Sequence, residues 1–201
     1  MGSLNKYSRN NKFDNDEIYV VLFVSRNKDN KHLENFKERR MSFITHDKNS
    51  PELEARFENF VRNGQYNEFS RAYISVNPRS SKKTFKALQH LMLDQEFHIG
   101  LIEPKLASIA AKHENILNSK KRRILFDFDK TEDHDLILHL DQFEKDIKEI
   151  DKDIELLFIR TPNGFSVIPN KRFDTRELLK KYPNVEVKRD DSYCFMYKYN
   201  V

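Results

Sequence analysis

The residues best suited to chemistry are two aspartates, Asp127 and Asp129, which follow the apolar run Ile124-Leu125-Phe126. On a strand, alternate side chains share a face, so the pair is expected to project together from one strand end. Like charges held this close repel, and a bound divalent cation relieves the cost. Oxygen ligands favour Mg²⁺ or Mn²⁺. The competing reading is a solvated strand end at which Asp129 starts a turn, because structural acids also cluster in this way. An EF-hand is excluded. Counted from Asp127, its glycine and glutamate positions hold Glu132 and Leu138.

The chain that must position this pair has 201 residues, 38% hydrophobic and 34% charged, with 16 Phe and 8 Tyr. That aromatic content opposes disorder, and the length suits one domain or two small ones sharing a core. No apolar run is long enough to span a membrane. The polar N-terminus lacks a signal-peptide core, so a cytoplasmic setting is expected. A single cysteine, Cys194, excludes a disulfide framework and a Cys-rich zinc site. Four glycines exclude a P-loop or a Gly-rich dinucleotide loop. The net charge of +4 permits a nucleotide or nucleic-acid partner without demanding one.

Apolar periodicity predicts a strand over 18–24, a helix over 29–40 carrying Leu33 and Phe36, and a Ser50-capped helix that buries Leu53, Phe57, Phe60 and Val61. A strand over 71–76 and the turn 77–80 then lead to a helix burying Phe85, Leu88 and Met92, and Pro104 starts another. The second half predicts a strand over 124–128 and an amphipathic helix through Leu136, Leu140, Phe143, Ile147 and Ile150. A hairpin follows, 154–160 and 165–168 about Thr161-Pro162-Asn163-Gly164. After it come a capping-box helix at Asp174-Thr175-Arg176-Glu177 and strands over 185–188 and 193–199. The expected class is α+β. An N-terminal α/β module (1–119) joins a C-terminal RRM-like, or ferredoxin-like, βαββαβ core (120–201) with one extra strand.

Asp127-x-Asp129-x-Thr131 resembles the opening motif of haloacid-dehalogenase-type phosphatases. That resemblance implies Asp127 as nucleophile, Asp129 as acid/base and Thr161 as second motif. That fold, however, needs further parallel βα units where the hairpin is expected. A two-metal nuclease is chemically possible but has no separate signature here. Residues 120–201 resemble more fully the RRM-like catalytic core of the archaeo-eukaryotic primase and primase-polymerase superfamily. Its first motif is an apolar strand ending in Asp-x-Asp. Its second is a small-residue hairpin, matched in shape by 161–168, where Ser166 stands in place of the expected histidine. Its third is a later acid, for which Glu186 is the best match and Asp190 and Asp191 are rivals. The resemblance implies that Asp127, Asp129 and Glu186 hold Mg²⁺ or Mn²⁺ ions that bridge a triphosphate and activate a 3′-hydroxyl. Thr161, Gly164, Ser166 and Lys188 become candidate nucleotide contacts. A serine donates one hydrogen bond but carries no charge, so the core is either altered in activity or retained for binding.

Arg79, Lys82 and Lys83 form a second candidate phosphate site at a helix start, where cations oppose the helix dipole. Tyr193, Phe195, Tyr197 and Tyr199 alternate along the last strand, which is expected to place them on one face, either stacking bases or packing a core. Lys120–Arg123 is a basic junction, and His134 and His139 lie near the acids. The favoured function is a primase-polymerase-like nucleotidyltransferase acting on nucleotide or nucleic acid. Its alternative is a non-catalytic accessory protein, for example in viral counter-defence, that binds nucleic acid or a protein partner. A phosphatase comes third.

Overall fold

In the computed structural model the described residues are 16–94, 99–118, 122–130 and 136–201. Two antiparallel sheets form the frame, and the α+β class holds. In the first, β1 (Glu17–Ser25) lies between β2 (Arg39–Thr45) and β3 (Phe69–Ser75), and the short β4 (Arg79–Ser80) pairs with the start of β1. Helix α1 (Pro51–Arg62) begins where Ser50 Oγ accepts the Glu52 N–H, with Pro51 at a position whose N–H is not needed. Its Leu53, Phe57, Phe60 and Val61 cover one sheet face, over Phe23 and Phe43. Helices α2 (Ser81–Asp94) and α3 (Ile102–Ala110) cover Ile44 through Leu88, Leu106 and Ile109.

The second sheet follows the chain order β5 (Leu125–Asp129), α4 (Leu136–Ile150), β6 (Leu156–Thr161), β7 (Gly164–Pro169), α5 (Arg176–Lys181) and β8 (Glu186–Lys188). Its strands lie in the order β6-β7-β5-β8, each antiparallel to its neighbours. Phe126 and Phe128 turn to α4 and meet the Phe143 ring at 5.0 and 4.8 Å. Alternation therefore gives Leu125, Asp127 and Asp129 the opposite face. Thr161 pairs with Gly164, so a hairpin and not a helix follows Thr161. This removes the topological ground for the phosphatase reading.

Three expectations are corrected. No α-helix spans 29–40; a 3-10 turn (Asn27–Asp29) and irregular chain precede β2. Asn30 breaks the helical path, because its amide bonds Arg26 O and Phe69 O while its Oδ1 accepts the Phe69 N–H. Asn35, at φ 52, also leaves helical space. In α2, Leu88 is buried, but Phe85 and Met92 are exposed and Thr84 takes the inward position instead. The aromatic series of the last strand, β9 (Ser192–Tyr199), does not keep one face. Tyr73 pairs with Cys194 and Ala72 with Met196, leaving Phe195 as the extra residue of a bulge. Tyr193 and Phe195 pack on the core under α1, whereas Tyr197 and Tyr199 emerge beside Phe69 on the other face.

Strand β9 pairs with β3, so residues 192–199 lie beyond 120 in sequence but within the first sheet in space. Val76, Leu125 and Ile168 are buried where the two sheets meet. Arg79 donates both terminal nitrogens to Asp190, at 3.0 and 2.9 Å. The Asn77 amide pairs twice with the backbone of Arg123. No helix among the described residues is long and apolar enough to cross a membrane.

Candidate functional site: a cleft between the two sheets

Sheet register builds one wall of the site. Asp127 lies opposite Ser166 on β7 and opposite Glu186 on β8. Three polar residues thus form a row across one sheet face, and that face looks toward the first sheet over a cleft of about 200 Å³. Asp127, Asp129, Glu186, Lys188, Thr161, Asn163 and Ser166 line it from the second sheet, and Arg26, Lys28, Arg71, Tyr73, Ser192 and Cys194 line it from the first.

Both oxygens of Asp127 are engaged. Oδ1 accepts from Ser166 Oγ at 3.2 Å, and Oδ2 accepts from Lys188 Nζ at 2.7 Å. Lys188 also lies 3.4 Å from Glu186 Oε2. Burial works against the Lys188 ammonium. Its hydrogen bond to Asp127 and the charges of Asp127, Glu186 and Asp191 outweigh that and raise its pKa above the ordinary lysine value. An ammonium thus stands where a cation shared by these acids would sit. Among the described residues, no group of three His, Cys, Asp or Glu side chains is placed to hold a metal ion. As arranged, a metal ion at Asp127 would have to displace Lys188 and Ser166 from its two oxygens.

The facing wall carries excess positive charge. Asp29 accepts from Arg26 Nε at 2.7 Å and from Arg71 Nη2 at 2.6 Å, so one carboxylate holds two guanidiniums. The Arg71 side chain is only 8% exposed. Arg26 Nη2 and Arg71 Nε are buried without a hydrogen-bond partner. A buried unsatisfied donor costs about 1–3 kcal/mol, and such groups call for an explanation in ligand binding or strain.

Beyond the Thr161–Gly164 turn the cleft opens into a groove of about 760 Å³ that shares Arg71, Thr161 and Asn163 with it. Lys130, Arg160, Gly164, Phe69, Tyr197 and Tyr199 line the groove. Tyr197 and Tyr199 are 40% and 49% exposed. Their rings stand 6.1 and 4.7 Å from that of the buried Phe69. A polar, charge-lined slot therefore runs into an aromatic trough.

The structure brings together Asp127, Asp129, Glu186, Lys188, Thr161 and Ser166 in the cleft, with Gly164 in the adjoining groove. Asp190 is not among them, being engaged with Arg79, and Asp191 bonds the Ser192 N–H. Arg79, Lys82 and Lys83 lie apart from the cleft, and the protein's own carboxylate fills their anion position. Asp16 accepts from Ser80 Oγ, Ser81 Oγ and the Lys82 N–H at 2.8–3.0 Å. Burial opposes the Asp16 charge, but these bonds and Lys82 hold its pKa below the usual value. His139 stacks edge-on against Phe128 and Tyr182. Lys120, Lys121, Thr131 and His134 lie outside the described residues.

Sequence reasoning missed Arg26, Arg71 and Asn163. The available signal for Arg71 was an arginine inside the otherwise uncharged strand 69–75. The Lys188–Asp127 bond was also readable in principle. Glu186 pairs with Asp127, and a diagonal neighbour two residues on is within reach of a long side chain.

Cys194, at the cleft floor, is buried, and burial raises its thiol pKa to about 11. At pH 8 its thiolate fraction is then about 100-fold below that of a thiol titrating near 9. A higher-pKa thiolate is the stronger nucleophile and recovers about tenfold of that, so reaction with a disulfide reagent is expected to be about tenfold or more slower than for the unfolded chain. Equal rates in the folded and unfolded chain would contradict this burial. Compared with models of known protein families, with curated proteins and with solved structures, the chain matches none.

Proposed function

We propose that the cleft and groove bind a single-stranded nucleic acid or a nucleotide, with phosphate at the Arg26/Arg71 wall and bases on Tyr197 and Tyr199. The observation that carries this reading is the continuity of the two surfaces, which share Arg71, Thr161 and Asn163. Guanidiniums recognise phosphate through paired N–H donors. Aromatic faces accept bases with little regard for sequence. The β6-β7-β5-β8 order and the Asp127/Asp129 pair support kinship with primase-polymerase cores. Ser166 and the Lys188–Asp127 bond favour a core that binds over one that transfers nucleotides.

Binding of fluorescent dT and rU oligonucleotides to the full chain tests this reading. Base–aromatic stacking is worth about 1–3 kcal/mol per base. Tyr197→Ala with Tyr199→Ala is therefore expected to weaken binding at least about tenfold, with little change in melting because both rings are half exposed. Wild-type affinity in that variant would remove the groove from the account. A second reading rests on Asp127, Asp129 and Glu186 sharing one cleft. Primer extension by wild type with Mg²⁺ or Mn²⁺, lost in Asp127→Asn, would make the protein a nucleotidyltransferase. Silence toward both oligonucleotide and nucleoside triphosphate would leave a protein partner as the occupant.

A further inference from the structure

A second charged hollow lies around the edge of the sheet from the cleft. It measures about 630 Å³ and is lined by Arg122, Arg172, Arg176 and Arg189, with Phe173 and Val187 among its apolar walls. Among the described residues only one acid lines it, Asp174, and both of its oxygens are taken by Arg176, at 2.5–3.0 Å. Arg122 contacts His113 Nε2 at 2.6 Å and, among the described residues, has no carboxylate partner. Among the described residues, Arg172 and Arg189 have no ion-pair partner. The chain as a whole nearly balances its charges, 36 basic against 32 acidic, but here four guanidiniums face one carboxylate. Like charges gathered at one place raise the free energy of the empty protein and lower it again when an anion arrives.

We propose that this hollow is a second phosphate-backbone site for the single strand that occupies the cleft. Alternation along β8 joins the two. Glu186 and Lys188 face the cleft, while Val187 and the following Arg189 face the hollow. A strand leaving the cleft therefore meets the arginines by crossing one edge strand. The guanidiniums are solvent-accessible and spread around a space larger than one phosphate group. This suits sequence-independent contact to successive phosphodiesters and the release of their counterions. The proposal rests on the nucleic-acid reading of the cleft.

The test is the salt dependence of oligonucleotide binding by the full chain carrying Arg172→Ala and Arg189→Ala. Neither side chain is buried, so the fold should persist, and thermal melting checks it. Each lost single-strand phosphate contact lowers the slope of log affinity against log salt by about 0.7. The double variant should lose about 1.4 in slope and about 25-fold in affinity at 0.1 M salt, while binding of a nucleoside triphosphate in the cleft is unchanged. A wild-type slope in that variant would overturn the hollow and leave the cleft reading intact. If instead the arginine variant weakens binding while the Tyr197/Tyr199 variant does not and no nucleoside triphosphate binds, the cleft reading fails, and with it the assignment of the hollow as that strand's second site. Tight binding of a polyglutamate peptide, dependent on Arg172 and Arg189 and with no oligonucleotide binding, would overturn the proposal in favour of an acidic protein.

Discussion

Gly164→Ala is expected to destabilise the protein by about 3 kcal/mol or more and to abolish ligand binding in whatever fraction still folds. Gly164 is paired with Asp129 at the end of β5. A Cβ there would stand 1.8 Å from the Phe128 carbonyl oxygen and 2.9 Å from its carbon. Those are backbone atoms, so no side chain can turn aside to make room; the two strands must part. The glycine serves close approach and not turn conformation. Pro162 and Asn163 make the turn, and no glycine among the described residues has positive φ. Parting the strands would also break the 2.7 Å bond from the Lys130 N–H to Asn163 O, and with it the position of the hairpin that borders both cleft and groove. For a chain of this length the expected fall in melting temperature is roughly 10 °C. A variant that melts within a degree or two of wild type would contradict the close approach.

Asp190→Ala is expected to cost about 3–5 kcal/mol, because it strands a buried guanidinium. The Arg79 side chain is 4% exposed, and Asp190 is its ion-pair partner across the junction of the two sheets. Arg79 Nε already lacks a hydrogen-bond partner, so no local acceptor stands ready to replace the lost carboxylate. The double variant Arg79→Leu with Asp190→Leu removes both charges and should cost less than the single change. Thermal melting of the three proteins decides the matter. It also separates the two roles weighed for Asp190. A ligand in a functional site would lose activity and keep its melting temperature, whereas a junction residue loses stability first.

Much of the second half was legible because its signals are local. The apolar run before Asp127, the 3.6-residue spacing from Leu136 and the Pro-Asn-Gly turn each act within a few residues. Strand β2 was hidden because it is an edge strand, with Phe43 its only fully buried residue and arginines at its start. The pairs Leu33 and Phe36 mimicked a helix that Asn30 prevents by bonding to Phe69, 39 residues away. The aromatic face of β9 failed for a related reason. Alternation holds only while the ladder is regular, and one bulged residue moved Tyr197 and Tyr199 to the other side. In the site, the row Ser166–Asp127–Glu186 followed from the expected strand pairing. The Arg26–Asp29–Arg71 wall did not, because it joins a turn to a strand 42 residues on through side chains alone. The basic cluster Arg79-Lys82-Lys83 read as an open anion site because Asp16 and Asp190, which occupy it, are distant in sequence.

The central claim, that a single strand lies across the aromatic groove into the cleft, is tested most directly by photocrosslinking. The full chain is irradiated with a 4-thiothymidine oligonucleotide, and the modified peptides are identified by mass spectrometry. Crosslinks are expected at Tyr197 or Tyr199, competed away in part by a nucleoside triphosphate through the shared Arg71 end of the cleft. Crosslinks confined to surfaces remote from both sheets' facing sides, or none at saturating oligonucleotide, would contradict it.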